Sequence, residues 1–295
     1  MTGQPEITVG LPVYNGEAWL RQSVPALLEQ THRDFALIIS DNASTDDTRA
    51  ICEAYAQADS RIRYQRNPHN IGVFRNYERV FLESQSPYFK WASANDICGP
   101  DFLAECLAAL KANPSAVAAY PRTVLFTDDP GQGQDYVFDL EFADVSPVLR
   151  FMRVLSELRL NNAFNGVMRA DALRQTSLNG VYRGSDIVLM AELALRGTII
   201  QVPGRAFFRR VSPAAASALR DSRGLREFFA SEGRDVLGTP TWDFYWHCFI
   251  GALSAPVPRR QRWQCAKHVL RRLWWTRQQL AREFWLRVSQ PAANA

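Results

Sequence analysis

The stretch from Ile7 to Thr48 reads ITVGLPVYNGEAWLRQSVPALLEQTHRDFALIISDNASTDDT, and it decides the fold class of the chain. Its first part, ITVGLPV (Ile7 to Val13), is a short apolar run that is typical of a buried strand. Between Gly16 and Gln30 the apolar side chains recur at helical spacing, and FALIIS (Phe35 to Ser40) indicates a second buried strand. A strand, a helix and a strand in this order predict a βαβ unit and a parallel sheet.

The alternation continues along the chain. It predicts helices over Thr48–Ala58, Asn70–Glu83, Asp101–Lys111, Ser146–Leu158 and Asp186–Leu195. It predicts strands over Arg61–Arg66, Pro87–Ser93, Ala116–Phe126, Ala163–Met168, Thr198–Val202 and Ala206–Val211, with a loop over Thr127–Asp139. We therefore expect an α/β fold with a Rossmann-like, mainly parallel mixed sheet flanked by helices. We place this domain at residues 1–212 and a helical, Trp- and Arg-rich appendage at 213–295.

The composition excludes several classes of protein. The 295 residues are 47% hydrophobic and 22% charged, which are ordinary values for a globular chain. The net charge of +4 is modest, and no recognised nucleic-acid module is present, so we expect no nucleic-acid partner. The five cysteines are scattered and odd in number, which favours a reduced, cytoplasmic setting. We find no signal-peptide pattern and no apolar window of about 20 residues that predicts a membrane span.

Polar, turn-prone residues follow each of the first four predicted strands. In open α/β sheets, ligands bind beyond the carboxyl ends of the strands, so these residues are the candidates for function. Each segment alone could be a turn or a helix cap. Their recurrence at successive strand ends favours a nucleotide site, formed by Pro12, Val13, Tyr14, Asn15 and Glu17, then Asp41, Asn42 and Ser44, then Arg75 and Asn76, and last Asn95 and Asp96.

Four of these segments carry a resemblance to a known family. LPVYNGEAWL, ALIISDNASTDDT, the N-x-x-N-I-G-V-F-R-N stretch and YFKWASANDICGPDFL together resemble family 2 of the glycosyltransferases, from Ile7 to about Leu110. The resemblance continues more weakly through NGVMRADALR (Asn165 to Arg174) and GSDIVLMAELALRG (Gly184 to Gly197). The members are inverting enzymes with the A-type nucleotide-sugar-binding fold. The combined pattern is specific, although none of its pieces is specific alone.

The resemblance implies a role for each matching position. The Pro12 to Asn15 turn would hold the nucleobase, with the Tyr14 ring against it. Asp41 and Asn42 match an acidic pair that contacts the base and ribose, with Glu17 and Ser44 beside them. Arg75 and Asn76, and also Asn95, would contact the donor. Asp96 matches the acid that holds Mg²⁺ or Mn²⁺ on the diphosphate, and Asp186 falls where the family keeps its general base.

The implied reaction is transfer of a sugar from a nucleoside-diphosphate sugar to a hydroxyl. The donor base (UDP, GDP or dTDP) stays open, and the acceptor would be a glycan or a lipid-linked sugar of cell-surface polysaccharide or glycolipid assembly. One carboxylate suffices as the base, and one can hold a hard cation that keeps several waters. For Asp186 alone, a helix N-terminal acid is the plainer interpretation.

The sequence departs from the family pattern at three positions. Asn42 and Asn95 stand where the family has acids, and Ser212 stands where members often place a histidine. A non-catalytic homologue that binds nucleotide sugars or glycans is therefore the alternative. A dehydrogenase is disfavoured, because LPVYNGEAW lacks the G-x-G-x-x-G pattern after the first strand.

The segment 259–288 interleaves basic and aromatic residues. From Arg259 to Arg287 it holds eight arginines and Lys267 but a single acid, Glu283. One interpretation is amphipathic helices that contact an anionic membrane, which would place the protein peripherally at the inner face of the membrane. The other is helices that pack on the catalytic domain with a solvated basic face. His247 and His268 stand apart from other ligand types, so we expect structural roles for them.

Overall fold

The computed structural model describes residues 4–211 and 239–289. The N-terminal half follows the pattern of the sequence closely, because its strands are apolar runs bounded by turn residues. Its elements are β1 (Ile7–Val13), α1 (Glu17–Leu28), β2 (Phe35–Asp41), α2 (Thr48–Ala58), β3 (Ile62–Arg66), α3 (Val73–Leu82), β4 (Tyr88–Trp91), β5 (Ile97–Cys98), α4 (Phe102–Ala112) and β6 (Ala116–Phe126). The two-residue strand β5 carries no periodic signal and was not predicted.

The second half departs from the predictions in three places. The predicted strand over Ala163–Met168 is partly wrong, since Asn162–Asn165 forms a 3₁₀ turn before a shorter strand, β8. The predicted loop over Thr127–Asp139 contains a 3₁₀ turn (Pro130–Gln132) and the short strand β7. The two predicted strands after Gly197 join into one strand, β9. The elements are β7 (Gln134–Asp135), α5 (Pro147–Glu157), β8 (Val167–Arg169), α6 (Ala170–Leu173), α7 (Ser185–Arg196) and β9 (Thr198–Arg210).

Within the described ranges the strands form a 9-stranded sheet in the order β3-β2-β1-β4-β8-β6-β9-β5, with β7 paired to β6. Strands β1 to β4 pair in parallel, whereas β8 is antiparallel to both β4 and β6. Strand β6 therefore runs in the direction of β4, and β9 runs parallel to β6. The carboxyl ends of β1, β2, β3, β4, β6 and β9 consequently meet at one edge of the sheet, as does the chain that enters β8.

Helices cover both faces of the sheet and bury an apolar layer on each side. Leu20 and Val24 of α1 and Phe102 of α4 pack in one layer, together with α2. Phe81 of α3 and Phe151 of α5 pack in the other layer, together with α6 and α7. Gly10 in β1 permits close approach of α3, because a Cβ there would lie 2.7 Å from Val80.

The C-terminal helices α8 (Pro240–Ser254), α9 (Arg259–Trp275) and α10 (Arg277–Ser289) follow the undescribed range 212–238. Cys248 of α8 and Val269 of α9 are fully buried in the same apolar layer as α5 and α7. The inner faces of α8 and α9 thus share a core with the sheet domain. The expected boundary at residue 212 falls in the undescribed range. No helix of the described ranges is long and apolar enough to cross a membrane.

Candidate functional site

The loops after β1 and β2 are joined by hydrogen bonds. The amide of Asn15 donates to Ser44 Oγ at 2.9 Å, and its side-chain Oδ1 accepts from the amide of Thr45 at 2.9 Å. Glu17 Oε2 accepts from the Asp47 amide at 2.8 Å. Asn15 takes a left-handed φ of 50°, a conformation that Asn tolerates better than most residues. These contacts fix the turn that displays Tyr14, whose side chain is 49% exposed.

The turn that displays Tyr14 rests on buried residues at the ends of β1 and β2, namely Pro12, Val13 and Asp41. Pro12 and Val13 end β1 and are buried, and Val13 is paired with Asp41 in the neighbouring strand. The Asp41 carboxylate is 0% exposed and accepts hydrogen bonds from Tyr64 Oη at 2.9 Å and Arg66 Nε at 3.2 Å. Burial raises the pKa of Tyr64, and the charge of Asp41 raises it further, so the phenol stays a donor.

A buried asparagine network fastens the loop after β3 to the end of β2. Asn42 Nδ2 donates to Asn70 Oδ1 at 2.7 Å and to the Gly72 carbonyl at 3.2 Å. Asn42 Oδ1 accepts from Asn67 Nδ2 at 2.8 Å and from the Ile71 amide at 2.9 Å. A carboxylate could accept the second pair but could not donate to the first. The asparagine at position 42 is therefore matched to its surroundings.

Three residues expected to contact the donor have side chains that are hydrogen-bonded within the protein. Asn76 is 3% exposed, and its amide is bonded to Ser40 and Asn67. Asp41 and Asn42 are also buried, with their polar atoms used inside the protein. In this conformation these side chains hold the strand-end loops together, and their predicted contacts with a donor stay predictions. Arg75, by contrast, is exposed at the first turn of α3.

Asp96 follows β4 and is held by the end of β9. Its Oδ1 accepts a hydrogen bond from the main-chain amide of Arg210 at 3.0 Å. The Arg210 guanidinium donates to the carbonyls of Asn95 and Thr127 and to Gln22 Oε1. Asn95 is half-buried beside it. Burial raises the pKa of the Asp96 carboxyl, and the Arg210 amide and the charges of Arg209 and Lys90 oppose this rise.

The segment before β8 connects Asp186 to the same edge. Asn161 Nδ2 donates to Asp186 Oδ2 at 3.0 Å, at the first turn of α7. The next residue, Asn162, accepts from Arg209 Nη1 at 2.7 Å and donates to Asp139 Oδ1 at 2.8 Å. Burial raises the pKa of Asp139. Adjacent asparagines thus link the Asp186 carboxylate to the arginine that faces Asp96.

The Tyr77 hydroxyl lies within electrostatic range of both Asp96 and Asp186. Burial raises the pKa of its phenol, Ser93 lowers it, and the charges of Asp96 and Asp186 both raise it further. One hydroxyl therefore feels both groups, although they are far apart in the chain. The Asp96 and Asp186 carboxylates therefore both lie near this hydroxyl.

The oxygen ligands at Asp96 fit a cation that keeps most of its ligands from the substrate and from water. Among residues 4–211 and 239–289 no cluster of three His, Cys, Asp or Glu is placed to hold a metal ion. Asp96 is only 8% exposed and makes no ion pair within these ranges. A buried carboxylate that makes no direct ion pair is costly, and a divalent cation would stabilise it. Mg²⁺ and Mn²⁺ accept such a single protein carboxylate. Ser212 lies outside the described residues.

Sequence patterns alone did not reveal five of the residues at this edge. Arg209 and Arg210 close a long strand and resemble ordinary strand residues, and Asn161 and Asn162 lie between the predicted helix Ser146–Leu158 and the predicted strand Ala163–Met168. Tyr77 is part of an amphipathic helix pattern. The available signal was topological, because a strand parallel to β4 must end at the same edge as β4. The residues are Tyr77, Asn161, Asn162, Arg209 and Arg210.

Known proteins resemble this chain in sequence and in fold. The dTDP-rhamnosyl transferase RfbG of Shigella flexneri is 29% identical over 144 residues, which cover 44% of this chain and 50% of RfbG. TuaG of Bacillus subtilis, whose name assigns it provisionally to teichuronic acid biosynthesis as a glycosyltransferase, is 29% identical over 93 residues, 32% of this chain and 37% of TuaG. The chain thus spans half or less of the length of these relatives.

Solved structures of S. aureus TarS share the fold. The complex of TarS residues 1–349 with UDP superposes with a TM-score of 0.61 at 14% identity, covering 91% of this chain and 72% of that one. The complex with UDP-GlcNAc gives a TM-score of 0.62 at 14% identity over the same shares of both chains. This likeness confirms the expected fold class. The sequence profile described as Glycosyl transferase family 2 matches residues 8–176, more than half of the chain, and the chain therefore belongs to glycosyl transferase family 2.

Proposed function

We propose that this chain is an inverting glycosyltransferase that moves a sugar from a nucleoside-diphosphate sugar to an acceptor hydroxyl. The observation that carries the proposal is that Asp96 and Asp186 are linked at the end of β9: Asn161 bonds to Asp186, Arg209 bonds to Asn162, and the Arg210 amide bonds to Asp96. A single displacement with inversion needs one group at the leaving diphosphate and one at the attacking hydroxyl. The two carboxylates supply these positions.

Asp186 is the proposed general base. Its carboxylate would take the proton of the acceptor hydroxyl as that oxygen attacks the anomeric carbon. Asn161 orients this carboxylate through its Nδ2 group. The Oδ1 atom of Asn161 is buried and has no hydrogen-bond partner in the described ranges.

Asp96 is the proposed ligand of Mg²⁺ or Mn²⁺ on the donor diphosphate. The bound cation would neutralise the charge that gathers on the leaving group. The Arg210 amide and guanidinium hold Asp96 and Asn95 in place. The positive charge of the Arg209 guanidinium also acts on Asp96 and opposes the rise of its pKa.

The nucleoside would lie at the corner between the loops after β1 and β2. The exposed Tyr14 ring can stack on a nucleobase, and the exposed Arg75 can reach a phosphate. Asn15, Glu17 and Ser44 keep the Tyr14 turn in shape. The complexes of TarS with UDP and UDP-GlcNAc support a nucleotide-sugar donor, and the name of RfbG supports dTDP as a further candidate for the nucleotide of the donor.

The relatives favour a place in cell-surface polysaccharide or glycolipid assembly, with a glycan or lipid-linked sugar as acceptor. The name of TuaG supports this. We further propose that the protein works in the cytoplasm, at the inner face of the membrane.

Release of nucleoside diphosphate from UDP-, GDP- and dTDP-sugars with Mn²⁺ tests the reaction. We expect turnover of at least one donor, and Asp186→Asn should reduce it by about three orders of magnitude or more while donor binding persists. Asp34→Asn is the matched control, because this exposed acid precedes β2 at the opposite edge. Donor binding without turnover in the parent protein would instead establish the non-catalytic homologue.

A further inference from the structure

The outward face of α9 is apolar where a solvated helix should be polar. Trp263, Leu270 and Trp274 are 57%, 48% and 66% exposed. Their spacing of seven and four residues places them along one stripe of the helix. The side chains on the opposite side, Cys265 and Val269, are fully buried. The helix is therefore held by its inner face, and the outer stripe cannot turn toward the core.

Positive charge accompanies this stripe. Helix α9 contains Lys267 and five arginines and no acidic residue. Arg260, Lys267 and Arg271 are exposed next to the apolar stripe. None of the three forms an ion pair with any residue of 4–211 or 239–289. The side chains of Arg271 and Arg277 lie over the rings of Trp275 and Trp274, at 5.2 Å and 4.8 Å.

A shallow apolar groove of about 470 Å³ lies between α5 and α9. Leu149 and Met152 contribute to its apolar lining, while Lys267 and Arg271 place two cations at the same groove. Burial lowers the pKa of His268, which also lines the groove, so that imidazole remains neutral near pH 7. An apolar lining beside cations matches the chemistry of an acyl chain that ends in an anionic headgroup.

We propose that the outward face of α9 docks on an anionic phospholipid bilayer. Tryptophan rings favour the boundary between headgroups and acyl chains, and clustered Lys and Arg are attracted to anionic lipid. A second copy of the chain is disfavoured as the occupant, because an isologous contact would bring two uncompensated basic helices together. The proposal is independent of the donor chemistry, since no residue of this face belongs to the sheet edge that holds Asp96 and Asp186.

Co-sedimentation with vesicles tests the proposal on the full chain. Phosphatidylcholine vesicles with about 30 mol % phosphatidylglycerol should bind the protein at low salt, pure phosphatidylcholine should bind far less, and about 0.5 M NaCl should reverse most of the binding. The double variant Lys267→Glu/Arg271→Glu should lower the partition coefficient at least about tenfold. Trp263→Ala/Trp274→Ala should lower it by a similar factor and leave the salt dependence unchanged.

The matched control is Arg21→Glu/Arg122→Glu, which makes the same change in net charge at two exposed arginines of α1 and β6. It should bind vesicles as the parent does. Sugar transfer to a soluble acceptor should be equal in all four proteins, which separates this surface from the reaction. Equal vesicle binding by the α9 variants and the control would overturn the proposal, as would parent protein that ignores anionic vesicles. Concentration-dependent dimerisation lost in the α9 variants, without lipid binding, would assign the face to a second copy.

Discussion

Asn161 and Asp186 are joined by a hydrogen bond of 3.0 Å from Nδ2 to Oδ2, across 25 residues of sequence. Removing this donor in Asn161→Ala should lower kcat about 10- to 100-fold, because a hydrogen bond to a charged group contributes about 1.5–3 kcal/mol and orients the base. The KM for the donor should change little, since the proposal places Asn161 beside the general base and away from the diphosphate. Steady-state kinetics with varied donor measure both constants.

Asn113→Ala is the control for this prediction, because within residues 4–211 and 239–289 its exposed side-chain amide bonds to the main chain of its own helix, at Ala109. Unchanged kcat in Asn161→Ala would remove the positioning role. A rise in donor KM without a change in kcat would move Asn161 to the donor side of the site.

The variant Asn42→Asp tests whether Asn42 is required by its hydrogen-bond partners or has replaced an acid that the donor site needs. The new carboxylate would face Asn70 Oδ1 and the Gly72 carbonyl, which now accept hydrogen bonds from Asn42. We expect a loss of about 1–3 kcal/mol in the free energy of unfolding and a lower Tm, with no gain in donor affinity. Differential scanning calorimetry and donor titration measure the two effects, with Asn113→Asp as the control. Tighter donor binding in Asn42→Asp would show instead that the acid is missing from the site.

We expect substitution of Arg210 to weaken metal binding at Asp96 more than the binding of the acceptor. Arg210→Lys cannot keep the bonds from one guanidinium to Asn95, Thr127 and Gln22, so the Asp96 loop should loosen. The Mn²⁺ concentration for half-maximal activity should rise about tenfold, while acceptor KM stays near the parent value. Because Arg210 is buried, Gln22→Ala provides a milder variant, for which we expect a smaller shift in the same direction. Mn²⁺ dependence unchanged in both variants contradicts this role.

Glu192 should make stability depend on pH. Burial raises the pKa of this carboxyl in the folded state above its ordinary value of 4.5. At pH values between the unfolded-state pKa and the folded-state pKa, the folded state therefore binds more protons than the unfolded state. Stability is therefore lost as pH rises through that window. Glu192→Gln keeps an acceptor for the Ser177 amide and removes the titration. Its Tm relative to the parent should increase as pH rises above 4.5; Glu29→Gln, at an exposed position, should show no such trend.

The sequence predicted the sheet and its flanking helices, and the structure leaves Tyr14 and Arg75, two of the predicted site residues, exposed. Apolar runs and helical spacing report which face of an element is buried, and these signals are local. The roles of Asp41, Asn42 and Asn76 could not be predicted, because the same polar residue after a strand either faces a ligand or bonds to the next loop. Asn76 bonds to Ser40, 36 residues away, and that pairing exists only after folding.

The arginines at the end of β9 were missed for a related reason. Arg209 and Arg210 reach the site because of the order of strands. Strand β9 lies beyond β8 and β6, but it ends at the same edge of the sheet as β4. The strand predicted over Ala163–Met168 is shorter in the structure, because Asn162–Asn165 forms a 3₁₀ turn. This turn brings Asn161 and Asn162 to the carboxylates.

Thermal shift with donor and cation, on the parent protein and on Asp96→Asn, tests most directly whether Asp96 and the strand ends form a nucleotide-sugar site. A ligand that binds only the folded state raises the free energy of unfolding, by about 2.7 kcal/mol at a hundredfold excess over Kd, and the Tm rises with it. We predict that one of UDP-, GDP- or dTDP-sugar raises the Tm of the parent more with Mn²⁺ than without it, and that Asp96→Asn loses the Mn²⁺-dependent part while Asp34→Asn keeps it. An Mn²⁺-dependent shift of the same size in Asp96→Asn, or no shift with any donor in the parent, contradicts the site.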